Sequence, residues 1–281
     1  MVSLLEHIRQ LESRDNRARG DYVLDTLSSM GIKPVVQERR RWPAIRNIIV
    51  DLAPAGTARK RLFCAHYDTA DESPGANDNA SGVAVLLGLC QRLKESGAAV
   101  RVVFFDREEG ASTKPVLRMG LLGSLYYIWK NSLKDIAAIY NLEFCGQGDT
   151  MVVWPVDPQG DTAVVRKVEK AATRLDIPWQ RLDMPWALQS SDHLPFRLSG
   201  YKEAISLSML PGDGMALLRE RLDSATTAGL LTGRRPELPA PFSFFHTAED
   251  TSARLSEEPL QTMLALVLAL AGGDQADSPA G

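Results

Sequence analysis

Residues 64–82 read CAHYDTADESPGANDNASG, from Cys64 to Gly82. The apolar run Leu62 to Ala65 leads into His66-Tyr67-Asp68, and an Asn-Asp-Asn among small residues, Asn77-Asp78-Asn79, then opens a second apolar segment from Ser81 to Gly97. A short β-branched or aromatic run, a polar loop and a longer apolar stretch predict strand, loop and helix. The helix has Ser81 near its start and Gly97 at its end.

The same grammar extends in both directions. Upstream, Leu4, Leu5, Ile8 and Leu11, then Tyr22, Val23, Leu27 and Met30, recur at helical spacing and stop at Gly31, with Pro34 beyond. Strands are predicted at Pro34–Gln37, Ile45–Leu52 and Leu62–Ala65, parted by Trp-Pro and Ala-Pro-Ala-Gly turns. Downstream come a strand at Val100–Phe105, a helix at Gly120–Lys130 and a strand at Ile136–Phe144. A weaker alternation follows: strand Met151–Trp154, helix Thr162–Leu175, strand Ala204–Leu210 and helix Pro259–Leu270. This order predicts an α/β fold, a three-layer α/β/α sandwich on a mixed, mostly parallel sheet. No linker or repeat divides it, so residues 1–271 are expected to form one domain, with 1–31 a helical entry segment and 272–281 a disordered tail.

Composition narrows the partners. With 32 basic and 35 acidic residues, a formal charge of −3 and no basic stripe, neither nucleic acid nor a membrane surface is expected to bind. The cluster Glu38-Arg39-Arg40-Arg41 reads as a solvated loop. Three cysteines, Cys64, Cys90 and Cys145, stand in apolar contexts at no metal spacing and predict buried free thiols. The first twenty residues turn charged after five, unlike a signal peptide, and no apolar run is long enough to span a bilayer. The expected location is cytoplasmic, with an exported precursor trimmed before Met1 as the alternative.

In open α/β sheets, chemistry collects at the carboxyl ends of strands. His66 and Asp68 follow one predicted strand, Glu108 and Glu109 a second, and Glu143 closes a third; Asp78 precedes a helix, and His246 follows Phe242-Ser243-Phe244-Phe245. Carboxylates gathered on one rim repel unless a cation lies among them. Two His and three carboxylates suit two zinc ions about 3.5–4 Å apart that share one acid.

These motifs in order, His66-Tyr67-Asp68, Gly75 to Gly82, Glu108-Glu109, Gly120-Leu121-Leu122-Gly123-Ser124, Asn141-Leu142-Glu143, Ser191-Asp192-His193 and His246 to Thr251, resemble family twenty-eight of the metallopeptidases. The resemblance runs from Asn47 to Thr251 and implies a zinc-aminopeptidase-like fold, peptide substrates and two Zn2+ per chain. It implies that Asp78 bridges the metals, that His66 and Glu143 complete one site, and that Glu109 and His246 complete the other. It further implies Glu108 as general base toward a metal-activated water, Asp68 as acceptor for the free ring N–H of His66, and Asp192 and His193 as residues orienting the ligands. The Asp78–Asn79 peptide is implied to be cis.

Two departures stand out: the family usually has Asp where Glu143 stands, and residues 111–119, ASTKPVLRM, intervene where the family runs almost directly into its next helix. Other residues take plainer readings. His7 is expected at the surface or an edge without a role, Cys145 as a buried thiol rather than a ligand, Glu249-Asp250 as a solvated turn in which Asp250 bonds backbone amides, and the segment Trp179–Trp186 as pocket lining or core. The predicted function is a metallo-aminopeptidase. The competitors are a glutaminyl-peptide cyclase with one zinc, a carboxypeptidase acting on acidic dipeptides, and a non-catalytic peptidase-like binding domain.

Overall fold

The computed structural model describes residues 2–57, 59–109, 120–154, 162–182, 191–224 and 237–272. The expectations for residues 111–119, for the part of Trp179–Trp186 beyond Leu182 and for residues 273–281 lie outside this set.

Eight strands make one sheet among the described residues: β1 (Val35–Arg39), β2 (Ile45–Asp51), β3 (Lys60–His66), β4 (Val100–Phe105), β5 (Ile136–Leu142), β6 (Thr150–Trp154), β7 (Trp179–Arg181) and β8 (Ala204–Leu210). Their order is β1-β2-β4-β3-β5-β8-β6-β7. The central strands β4, β3, β5 and β8 are parallel, as is the pair β6–β7, whereas β1–β2, β2–β4 and β6–β8 are antiparallel. The helices are α1 (Leu4–Leu11), α2 (Asn16–Ser29), α3 (Ser81–Leu93), α4 (Leu122–Lys130), α5 (Ala163–Arg174), α6 (His193–Leu198), α7 (Met215–Ser224) and α8 (Glu257–Gly272). None is long and apolar enough to cross a membrane.

Strand side chains alternate between two cores, as the pleat requires. Phe63 and Ala65 of β3, Val102 and Phe104 of β4, and Tyr140 and Leu142 of β5 pack under α1, α2, α3, α5 and α8. Leu62 and Cys64, Val103 and Phe105, and Ile139 face the other way, against Tyr127 of α4 and Phe196 of α6. Coverage of both faces explains why these strands read as continuous apolar runs. At roughly 1.5–3 kcal/mol for each large apolar side chain withdrawn from water, the helix α3 alone, with Val83, Val85, Leu86, Leu87 and Leu89 fully buried, is a principal tie between the layers.

Several local readings change. Ser81 does not cap α3, because its hydroxyl donates to the Asn77 carbonyl (2.7 Å) and accepts from the Cys145 amide (2.9 Å). The Asn79 carboxamide does that work, accepting from Gly82 N (3.0 Å) and donating to the Leu142 carbonyl (2.7 Å). His7 is not at the surface. It is 5% exposed and its Nδ1 lies 2.7 Å from the Tyr22 hydroxyl, since the helical phase that buries Leu4, Ile8 and Leu11 also turns His7 inward. The short elements β7 and α6, and the helix α7, carry too little periodic signal to be predicted from sequence.

Candidate metal centre

Each candidate ligand stands where an element ends. His66 is the last residue of β3, Glu109 lies four residues beyond β4, and Glu143 directly follows β5. Asp78 lies in the irregular turn ahead of α3, after a left-handed Gly75 (φ 64°), and the Asp78–Asn79 peptide is cis. His246 comes from the segment after Pro241 and is itself left-handed (φ 60°), an uncommon backbone state for a residue with a β-carbon.

These residues meet. His66 Nε2 is 3.3 Å from Asp78 Oδ1 and 3.6 Å from Glu143 Oε2. On the other side His246 Nε2 is 3.4 Å from Asp78 Oδ2 and 2.7 Å from Glu109 Oε2. Ligand atoms of His66, Asp78 and Glu143, of Asp78, Glu109 and His246, and of His66, Glu108 and Glu109 lie within 4.8 Å of one another in each trio. Asp78 thus turns one oxygen to each histidine.

The chemistry of this donor set fits divalent cations. His66 Nδ1 lies 3.1 Å from the Asp68 carbonyl, which can only accept, so the ring proton sits on Nδ1. Nε2 then faces two carboxylates, an arrangement that is satisfied by a proton in the metal-free protein and that a divalent cation would satisfy in its place. All of these groups except His246, at 19% side-chain exposure, are nearly sealed from water.

Asp68 faces His66 Nδ1 with both its carbonyl and its carboxylate. Its carboxylate is 3.5 Å from Nδ1, farther than its own carbonyl, and its two oxygens also accept the backbone N–H of Glu108 and of Glu109, each at 3.1 Å. Asp250 is buried rather than in a solvated turn and makes the matching clamp on the other ligand segment, accepting from Asn77 N (2.8 Å) and Asp78 N (3.1 Å). Consecutive amides bound by one carboxylate hold a loop rigidly, because both donors must keep their direction.

Glu143 is held from behind. Its Oε1 accepts from Ser191 Oγ (2.5 Å) and Asn141 Nδ2 (3.1 Å), leaving Oε2 toward His66. Asn141 Nδ2 also reaches Ser206 Oγ (2.9 Å), and Ser206 lies 2.7 Å from His193 Nδ1. Burial pushes His193 down to about 3, so it is neutral, and it touches the centre only through this chain of hydroxyl and amide. Asp192 is fully buried, and neither carboxylate oxygen has a hydrogen bond among the described residues. Cys145 is a buried thiol with its Sγ 3.8 Å from the Glu143 carbonyl. Sequence reasoning assigned no role to Ser206 or to the side chains of Asn141 and Ser191. The available signal was Asn141 itself, a buried amide two residues from Glu143 and so on the same side of a strand otherwise apolar.

Without metal, the acids perturb one another. Burial first, then neighbouring charge, pushes Glu108 and Glu109 well above the usual carboxylate range, Asp192 up to about 7, and Asp250 up to about 6. On His66 burial disfavours the proton, but Glu143, Glu108, Asp68 and Asp78 outweigh it and its pKa is raised. All these groups bind protons more tightly folded than unfolded, so their contribution to metal-free stability is fully present in acid and is lost as pH rises through their folded values. Asp78, lowered by both histidines despite burial, acts oppositely in more acidic solution, and His193 and His7, lowered by burial, act oppositely up to about pH 6.5. The urea midpoint of chelated protein is therefore expected to drop between about pH 6.5 and about pH 8, and added Zn2+ to abolish the drop. A midpoint that rises with pH over that range in the chelated protein would contradict this electrostatic picture.

The sequence profile of peptidase family M28 matches residues 47–271. Among curated relatives, aminopeptidase YwaD of Bacillus subtilis is 29% identical over 214 residues, 73% of this chain and 39% of the relative. The probable lipoprotein aminopeptidase LpqL of Mycobacterium tuberculosis is 28% identical over 73% of this chain and 41% of its own length. The chain therefore spans about two fifths of the length of these relatives. The solved structure of BSAP, a zinc aminopeptidase from Bacillus subtilis, superposes with a TM-score of 0.61 at 27% identity, covering 80% of this chain and 48% of that one. A glutaminyl cyclase from Porphyromonas gingivalis shares the fold over nearly both whole chains (95% and 96%), with a TM-score of 0.71 at 21% identity.

Proposed function

This chain belongs to peptidase family M28, and from that premise we propose that it is a zinc-dependent aminopeptidase. The observation that carries the proposal is the Asp78 carboxylate, with one oxygen 3.3 Å from His66 Nε2 and the other 3.4 Å from His246 Nε2. That arrangement supports two ions sharing one acid, the first held by His66, Asp78 and Glu143 and the second by Asp78, Glu109 and His246. Zinc held there would supply Lewis-acid polarisation of a peptide carbonyl and ease deprotonation of water.

The chain's own residues supply the remainder. Glu108 carries the proton: its carboxylate takes one from the attacking water and returns it to the leaving amine as the C–N bond breaks. Burial and the acids Glu109, Asp192 and Glu143 raise its proton affinity, which suits a group that must both accept and release near neutrality. Asp68 fixes the Glu108 backbone through its amide, so the base and the neighbouring ligand Glu109 move as one unit. Ser191 and Asn141 commit one oxygen of Glu143 and so restrain the extra methylene of Glu to a single presented oxygen.

The one-zinc cyclase reading is separated from this one by stoichiometry and product. Elemental analysis of purified protein is expected to find two Zn2+ per chain, and a panel of aminoacyl-anilides and dipeptides to yield free N-terminal residues. One zinc per chain together with ring closure on a Gln-peptide and no residue release would replace the aminopeptidase by the cyclase. Full metal loading with no turnover of any panel member would favour the non-catalytic binding domain.

A further inference from the structure

We propose that Arg19, on a helix that precedes the family-matched region, is a positioning residue for the metal centre, setting the span of the loop between His66 and Asp78. Arg19 is fully buried. Its guanidinium makes three hydrogen bonds, all to backbone carbonyls of that loop: Nε to Tyr67 (2.5 Å), Nη1 to Pro74 (3.2 Å) and Nη2 to Gly75 (3.0 Å). Tyr67 directly follows the ligand His66, and Gly75 lies three residues before Asp78. One planar fork therefore ties together the two ends of the loop that joins them.

The docking around it is close. A β-carbon on Gly75 would stand 2.7 Å from Arg19 Nη1 and 2.3 Å from Thr69 Oγ1, so glycine is required there by space as well as by its left-handed φ of 64°. The Asn16 side chain accepts from Thr69 N (2.9 Å), and Ser13 N donates to the Pro74 carbonyl (3.1 Å). A β-carbon on Gly20 would come within 3.0 Å of the Tyr67 ring, so α2 lies directly on the loop.

Charge adds a second reason for a cation at this position. No ion-pair partner contacts Arg19 among the described residues, yet its field falls on Asp68, Asp250, Asp78 and Glu109, in that order. The first two are the carboxylates that clamp the backbone of Glu108, Glu109, Asn77 and Asp78. A fixed buried positive charge among these carboxylates offsets part of their mutual repulsion. Burial pulls Arg19 down to about 10, so it remains charged at neutral pH.

The inference rests on reading these acids as a metal site, and Co2+ uptake by unmodified protein tests that reading first. Arg19→Lys keeps the charge but replaces the fork with a point donor unable to span three carbonyls, and Arg19→Met removes both. Both variants are expected to lose about 10- to 100-fold in Co2+ affinity, the usual cost of removing a group that orients ligands, and to shift the visible Co2+ absorption. Leu27→Ala, which opens a cavity under the same helix, is expected to lower the urea midpoint and leave Co2+ affinity and spectrum unchanged. Unmodified protein that takes up no Co2+ overturns the metal reading. Co2+ affinity and spectrum in Arg19→Lys and Arg19→Met equal to those of unmodified protein overturn the Arg19 proposal alone. A variant that is unfolded without Co2+ but refolds on its addition supports the coupling. One that stays unfolded with Co2+ counts against it, by assigning Arg19 to the general core.

Discussion

Glu108→Gln is expected to keep the protein folded and its zinc content unchanged while lowering kcat by about 10²- to 10⁴-fold, the range for losing a general base. The two side chains are nearly the same size, and the backbone amide at this position keeps its bond to Asp68 Oδ1. What disappears is the ability to take and return a proton. The neighbouring Glu109 cannot substitute, because its Oε2 is engaged with His246 at 2.7 Å. Because the lost interaction belongs to bond cleavage, KM should change far less than kcat. Elemental analysis and steady-state kinetics on the same preparation check the result: zinc loss with substantial residual activity would move Glu108 from base to ligand.

Asp78→Ala is expected to have the largest effect on metal itself. Removing groups that only orient ligands costs 10- to 100-fold in affinity, so removing a carboxylate shared by both trios should cost on the order of 10³-fold or more. Zinc per chain should fall toward zero after exposure to a mild chelator, and hydrolysis should become undetectable. Replacing Glu143 or Glu109 instead should weaken one trio and leave the other trio's ligand atoms complete. The contrast is diagnostic: equal metal loss for Asp78→Ala and Glu143→Ala would contradict a shared ligand. The alanine side chain is accommodated, since a smaller group meets no steric demand, but the backbone of residue 78 must still be held by Asp250. Circular dichroism of the variant therefore belongs beside the metal measurement.

Much of this centre was legible because strand ends are chemically conspicuous. His66, Glu108, Glu109 and Glu143 interrupt or follow runs of buried apolar residues, and a polar residue at such a place demands a reason. The bonds behind the ligands were far less legible. The family resemblance implied Asp68 as a ring acceptor, whereas its carboxylate also takes the pair of amides at Glu108 and Glu109. That pairing depends on where β4 leaves the sheet beside β3, a parallel neighbour whose register no local pattern states. His7 was misread. Its own helical phase turns it inward beside Leu4, Ile8 and Leu11, and packing against α2 brings the Tyr22 hydroxyl to its Nδ1.

Arg19 marks the limit most clearly. In the stretch RDNRARGDYV it is one of three arginines, Arg14, Arg17 and Arg19, with nothing local to separate them. By itself the chain's sequence determined the order of the longer strands and helices, though not β7, α6 or α7, and the identity of the side chains that gather at the sheet's rim, because hydrophobic period and rare polar interruptions are local properties. Only the tertiary structure decided which arginine loses all contact with water, which carboxylate clamps an amide pair and which oxygen of Glu143 remains free. Those outcomes depend on angles and separations between segments far apart in the chain, and hydrogen bonds, unlike burial, succeed or fail over tenths of an ångström.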